Sequence, residues 1–159
     1  MLQPELDSLV VKSYANIAVS HHLEGNWTKA DKYYKLALEM LEKDGKNMIY
    51  QETLATMTGN YLNLLFDNLE RYSEAEELLA KTLAYPSNRE VNISNYHLFL
   101  MAAEYYLAVG NQQKFIQTAT ALENFLTTNN IQNDGDLGYL FLRKAIFYAN
   151  TSKVTTSQM

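Results

Sequence analysis

Residues 24–38 read EGNWTKADKYYKLAL, and they contain the break that decides the fold. Ahead of them, apolar residues recur three or four positions apart, which is helical spacing. Gly25-Asn26 interrupts that pattern, and Asn26 can cap the start of a new helix. A second helical pattern follows, with Tyr34 and Ala37 on its apolar side. The stretch therefore predicts the turn of a helical hairpin.

Similar breaks occur in LERYSEAEELLAKTL (69–83) and VGNQQKFIQTATAL (109–122). Each break is followed, five positions later, by a small or apolar residue. These residues are Ala30, Ala75 and Phe115, spaced 45 and 40 positions apart. Helix pairs repeated at such a period predict a solenoid.

No segment shows the sustained alternation of a strand, so the sequence predicts an all-α fold. We expect a right-handed α-α superhelix of about three degenerate hairpins followed by a C-terminal helix. The predicted hairpins span about 5–43, 47–84 and 88–127, the final helix about 136–149, and a polar tail 151–159.

Two capping boxes are predicted in the middle of the chain. Ser73 with Glu76 would cap the fourth helix, and Ser87 with Glu90 would cap the fifth. In such a box each side chain satisfies a free backbone N–H at the helix start. Pro86 is expected to end the fourth helix.

Composition limits the classes of function. The chain of 159 residues contains no cysteine. Its net charge is -5 and it has no cluster of Lys and Arg, so we expect no direct contact with nucleic acid. No apolar run approaches the roughly 18 residues of a membrane helix, and the N-terminus lacks a signal-peptide pattern. We therefore expect a cytoplasmic protein without membrane association.

The histidine pair His21-His22 invites a search for metal chemistry. Adjacent residues on a helix point about 100° apart, whereas a helical zinc pair needs positions i and i+4. We expect His21 to pack and His22 to face outward or into a groove. No phosphate-binding loop or catalytic arrangement is present, so the sequence predicts no enzyme, no catalytic residue, no metal and no cofactor.

The repeats resemble the tetratricopeptide repeat over about residues 11–126. The first unit has large, small, glycine, alanine and aromatic residues where that repeat prefers them: Tyr14, Ile17, Ala18, Gly25, Ala30, Tyr34 and Ala37. The later units depart from the pattern with Asn63 and Phe115, and the period exceeds 34 residues. The resemblance implies degenerate, elongated repeats.

A narrower resemblance rests on YANIAVSHHLEGNWTKADKYY (14–34) and FLMAAEYYLAVGN (99–111). These stretches look like the C-terminal region of Rgg/MutR-type transcriptional regulators, of the RRNPP group of Gram-positive bacteria. The resemblance implies a domain that binds a short signalling peptide and dimerises, with a helix-turn-helix DNA-binding domain outside this chain. We expect the chain to be the sensing half alone.

The first helix of each pair would line the concave groove. The residues there that packing is not expected to use are candidate peptide contacts, because amides pair with a peptide backbone and methionine adapts to apolar side chains. They are Lys12, Asn16, Val19, His22, Leu23, Met57, Asn60, Tyr61, Leu64, Asp67, His97, Leu100, Met101 and Glu104. Asp67 and Glu104 would oppose an anionic ligand.

The final helix is too apolar to stand alone in solvent. It is expected to cap the solenoid or to form a homodimer contact through Leu137, Leu140, Phe141 and Phe147. Two alternatives remain open for the function. One is a stand-alone scaffold that recruits another protein, and the other is a response-regulator phosphatase of the same repeat superfamily.

Overall fold

The computed structural model describes residues 4–43, 48–131 and 134–156. All of the regular structure in these ranges is helical, which confirms the all-α prediction. The helices are α1 (Pro4–Leu23), α2 (Trp27–Lys43), α3 (Met48–Asn63), α4 (Tyr72–Leu83), α5 (Tyr96–Ala108), α6 (Gln112–Thr128) and α7 (Asp134–Thr156). A π-helical turn, Leu64–Asn68, follows α3, and a 3₁₀ turn, Pro86–Asn88, follows α4.

The Gly-Asn breaks share one backbone motif. Gly25 has φ +75°, its N–H donates to the carbonyl of His22 over 3.0 Å, and the N–H of Asn26 donates to His21 over 2.8 Å. Gly110 has φ +73° and the equivalent bonds measure 3.1 and 2.8 Å. These are the two bonds that close a helix whose C′ residue is left-handed. Glycine fits here because it adopts positive φ without steric cost.

The middle break reaches a similar turn without glycine. Glu70 takes φ +53°, and the N–H of Arg71 donates to the carbonyl of Leu65 over 2.8 Å. The π-helical turn adds a residue before this point, so the closing bond spans one more position than at Gly25. The sequence pattern identified the break but not the π-helical turn.

The packing follows the predicted pairs in part. The most extensive contacts join α1 to α2 and α5 to α6. Helix α3 packs more extensively against α5 than against α4. The three equivalent residues Ala30, Ala75 and Phe115 are completely buried. Each break therefore places its fifth residue in the core.

Both predicted capping boxes are wrong. Helix α4 begins at Tyr72 with Arg71 at its N-cap, so Ser73 already lies in the first turn. Ser87 lies in the 3₁₀ turn and donates from its hydroxyl to Oε1 of Gln51 over 2.6 Å.

Helix α5 begins at Tyr96, well after the predicted start near 88. The segment before it is held by Asn95, whose side chain accepts from the N–H of Asn92 and donates to the carbonyls of Ser87 and Glu90. Asn95 is 1% exposed, so a buried amide replaces the expected helical turns.

The other boundary differences lie near the C-terminus. Helix α7 continues to Thr156, past the predicted end near 149, so most of the predicted polar tail is helical. Residues 44–47, between the first two predicted hairpins, lie outside the described residues, as do residues 132–133, ahead of the predicted final helix.

Candidate functional site: two adjoining depressions

Two open depressions adjoin along the side of the molecule where α1, α3, α5 and α7 lie. Asn60 lines the first and Asn63 lines the second, and these residues are three positions apart on α3. Residues at that separation are neighbours on a helix surface, so one extended ligand can reach both depressions.

The first depression has a volume of about 480 Å³. It is lined by Lys12, Ala15, Asn16, Val19, Tyr34, Glu52, Thr53, Thr56, Met57, Asn60, Ile93 and Ser94. Its wall thus combines amide, hydroxyl and apolar groups. Such a mixture suits a peptide, whose backbone needs donors and acceptors and whose side chains need apolar contacts.

Five predicted contacts line this depression: Lys12, Asn16, Val19, Met57 and Asn60. Of these, Met57 is only 2% exposed and belongs to the core. The side chain of Asn16 is exposed, and it makes no hydrogen bond to any described residue. Tyr34 was assigned to packing alone, yet it also lines the depression. Its ring stacks on Tyr61 with centroids 4.7 Å apart.

The hydroxyl of Tyr34 is buried and has no partner among the described residues. Burial raises the pKa of this hydroxyl above its ordinary value, so it stays protonated even in alkaline solution.

The second depression has a volume of about 520 Å³. It is lined by Asn63, Phe66, Asp67, Glu70, Tyr72, Met101, Glu104, Leu107, Ala108, Tyr139 and Arg143. Asp67, Met101 and Glu104 were predicted contacts. The sequence reasoning missed Tyr139 and Arg143, whose i, i+4 spacing on α7 was the available signal.

Two histidine–asparagine contacts connect the helices that line the depressions. Nε2 of His22 lies 2.8 Å from Oδ1 of Asn68, and Nε2 of His97 lies 3.1 Å from Oδ1 of Asn60. His22 and His97 are therefore engaged within the chain. Each bond joins residues more than 30 positions apart, so the contacts connect α1 to the π-helical turn and α3 to α5.

Gly59 permits the second of these contacts. A Cβ built on Gly59 would lie 2.8 Å from Cδ2 of His97, which is closer than real Cβ contacts allow. Glycine therefore lets α5 approach α3, and it explains why α3 packs so extensively on α5.

Tyr61, Leu64 and Leu100 were predicted to face the groove, and this is wrong. They are 3%, 0% and 4% exposed and belong to the core. Leu23 is exposed but lines neither depression. The repeat register did not separate groove positions from core positions on α3 and α5, because both α3 and α5 pack on more than one neighbouring helix.

His21 packs as predicted. Its ring stacks on Tyr33 with centroids 5.7 Å apart.

In the described ranges, no group of three or more His, Cys, Asp or Glu side chains is placed to hold a metal ion.

Helix α7 has one packed face and one exposed face. Leu140 is completely buried, and Phe147 packs edge-on against Phe115 with ring centroids 5.7 Å apart. Phe141 is 46% exposed, so this predicted contact points away from the core. The side chain of Leu137 lies outside the described residues.

An ion-pair cluster that the sequence reasoning missed connects α2, α3 and the start of α4. Asp31 accepts from the hydroxyl of Tyr61 over 2.5 Å and from Nη1 of Arg71 over 2.8 Å, and it lies 3.2 Å from Nζ of Lys35. Arg71 also donates to Glu74. We call these five residues the clasp.

Burial acts to raise the pKa of Asp31, but the hydrogen bonds from Tyr61, Lys35 and Arg71 outweigh it and lower the pKa. The clasp therefore holds an ionised carboxylate between the first two helix pairs.

No helix in the described ranges is long and apolar enough to span a membrane. Comparison with known proteins yields no match to a family model, to a curated protein or to a solved structure.

Proposed function

We propose that this chain is a regulatory ligand-binding domain of a bacterial transcriptional regulator, and that it senses a short signalling peptide in the two depressions. The observation that carries the proposal is the first depression, whose lining combines the exposed Asn16 amide with the half-buried apolar side chain of Val19. An amide can donate and accept at once, as a peptide backbone requires.

The finer architecture belongs to the same proposal. The shared backbone motif at Gly25 and Gly110 and the buried residues five positions later support degenerate tetratricopeptide-like hairpins stacked into a right-handed superhelix.

A peptide in contact with α1, α3 and α5 would alter the angles between successive helix pairs. That change would move DNA-binding domains that lie outside this chain.

The test is calorimetry with short synthetic peptides rich in Leu and Ile. For any peptide that binds, Asn16→Ala is expected to weaken affinity about fivefold, since a hydrogen bond contributes about 1 kcal/mol. Asn16 is exposed and makes no hydrogen bond within the described structure, so its loss leaves the fold intact. Lys32→Ala, at an exposed position of α2 outside both depressions, is the matched control.

Equal effects of the two substitutions would contradict the assignment of the depression. Failure of every peptide to bind, with capture of a folded partner protein instead, would favour the scaffold.

Dimerisation is the second part of the proposal. The exposed face of α7 carries Phe141, Leu142, Ile146 and Tyr148, with 46%, 56%, 46% and 53% exposure. These side chains lie within two turns and carry no charge, so a second copy can bury them by symmetric pairing.

Sedimentation equilibrium measures this association. Ile146→Glu is expected to shift the chain to monomer, and Leu9→Glu, at a position 66% exposed on α1, is expected to leave the dimer intact. A monomeric unmodified chain would refute the homodimer.

A further inference from the structure

The carboxylate of Glu104 lies in the second depression with only one oxygen engaged. Its Oε2 accepts from the hydroxyl of Tyr139 over 3.2 Å. Its Oε1 is buried and has no hydrogen-bond partner among the described residues. A buried acceptor without a donor is costly, so the site is incomplete as it stands.

The chain's own cation does not complete the site. The nearest nitrogen of Arg143 is 3.7 Å from Oε2 of Glu104, beyond hydrogen-bond distance. Its guanidinium lies 4.9 Å from the ring centroid of Tyr139 and donates to the Tyr139 hydroxyl. Oε1 therefore lacks a donor among the described residues, and because it is itself buried, the carboxylate meets the depression through the 11% of the side chain that is exposed.

Charge and aromatic character both favour a positively charged donor. Among the described residues, the lining holds three carboxylates, of Asp67, Glu70 and Glu104, and one guanidinium, of Arg143. Phe66 and Tyr72 also line the depression, and aromatic faces attract ammonium and guanidinium groups. The first depression, by contrast, pairs one Lys12 with one Glu52.

We propose that the second depression binds a cationic group of the ligand, an ammonium or a guanidinium, which pairs with the incompletely bonded carboxylate of Glu104. The assignment rests on the proposed function, because it makes that cation part of the bound peptide. It also sets the direction of the peptide: the charged group lies near α7, and the uncharged part lies between α1 and α3.

The subsite can be tested without the peptide. The labelled full chain is titrated with n-butylammonium, methylguanidinium and glycinamide, and ¹H–¹⁵N correlation spectra are recorded. These probes represent a lysine side chain, an arginine side chain and a peptide N-terminus. The neutral n-butanol matches the first probe in size. We expect at least one cation to shift the amides around Glu104, Asp67 and Tyr139, and the tightest binder identifies the source of the charge.

Glu104→Gln retains the shape of the side chain and removes its charge. It is expected to weaken cation binding about tenfold or more, because hydrogen bonds to charged groups are the strong ones. Asp67→Asn, at an exposed position, is expected to weaken binding less and covers the case in which Glu104→Gln fails to fold. Glu39→Gln removes an exposed carboxylate from α2 and is expected to have no effect.

Three results would overturn the assignment: no shifts from any cation, equal shifts from n-butanol, or unchanged affinity in both Glu104→Gln and Asp67→Asn. If peptides bind but the cations do not, the subsite is wrong and the proposed function stands. If the cations bind at Glu104 but no peptide binds anywhere, the subsite stands and the proposed function is wrong.

Discussion

Replacing Asp31 with alanine tests the clasp that joins the first two helix pairs. The substitution removes the acceptor of the Tyr61 hydroxyl, and Tyr61 is only 3% exposed. A buried hydroxyl left without an acceptor costs about 1–3 kcal/mol. Arg71 keeps Glu74 as a partner, so the lost ion pair adds about 0.2–1 kcal/mol. The higher helix propensity of alanine offsets about 0.5 kcal/mol.

The expected loss for Asp31→Ala is thus about 2 kcal/mol in the free energy of unfolding. For a chain of this size the loss corresponds to a fall in Tm of about 4–8 °C. Urea denaturation followed by circular dichroism measures the free energy, and a thermal scan measures Tm. Glu42→Gln is the control, because it breaks an ion pair with Lys81 in which both side chains are about half exposed, and it should cost under about 1 kcal/mol.

A double substitution separates the stability lost through the unpaired Tyr61 hydroxyl from the stability lost with the charge of Asp31. If the unpaired hydroxyl causes the loss, Asp31→Ala combined with Tyr61→Phe should be more stable than Asp31→Ala alone, because removing both partners of a bond can be nearly neutral. Additive losses in the double variant, or a loss no larger than that of Glu42→Gln, would refute the reasoning.

The pH dependence of the free energy of unfolding provides a third check on Asp31. The pKa of Asp31 is lowered in the folded chain, so its contribution is fully present above the unfolded-state pKa of about 3.9. That contribution is lost as the pH falls through the lower folded-state pKa. The stability difference between Asp31→Ala and the unmodified chain should therefore shrink only at strongly acidic pH.

Three further substitutions test the packing. Gly59→Ala should displace His97 and break its bond to Asn60. The ¹H–¹⁵N shifts of α3 and α5 would report this change, and unchanged shifts would contradict the close approach of His97 to Gly59. Gly110→Ala forces a side chain into φ +73° and should cost about 1–2 kcal/mol by urea denaturation, and a neutral result would contradict the assigned turn. Tyr34→Phe removes a buried hydroxyl without a partner in the described structure, so Tm should hold or rise, whereas a fall would indicate a missed hydrogen bond.

The sequence sufficed to predict the helices and the breaks between them, because those features depend on local chemistry. Glycine at positive φ ends α1 and α5 at the predicted points, and apolar spacing of three or four residues marks the packed faces. The equivalence of Ala30, Ala75 and Phe115 also followed from the spacing, and all three are buried.

The parts that could not be predicted depend on distant contacts. The start of α5 is set by the buried side chain of Asn95, which bonds to carbonyls across the preceding loop. The π-helical turn Leu64–Asn68 adds a residue before the middle break, and Leu64, Leu65 and Phe66 within it are buried. The approach of His97 to Gly59 joins separate helices, and a single sequence carries no sign of it.

The most direct test of the central claim is the location of the peptide on the molecule. A Leu- and Ile-rich peptide that binds by calorimetry is titrated into the labelled chain, and the shifted amides are mapped. The account predicts shifts concentrated on α1, α3, α5 and α7, around Asn16, Asn60 and Glu104. Shifts concentrated on α2, α4 and α6, or saturation by peptide with no shift around Asn16 and Asn60, would contradict it.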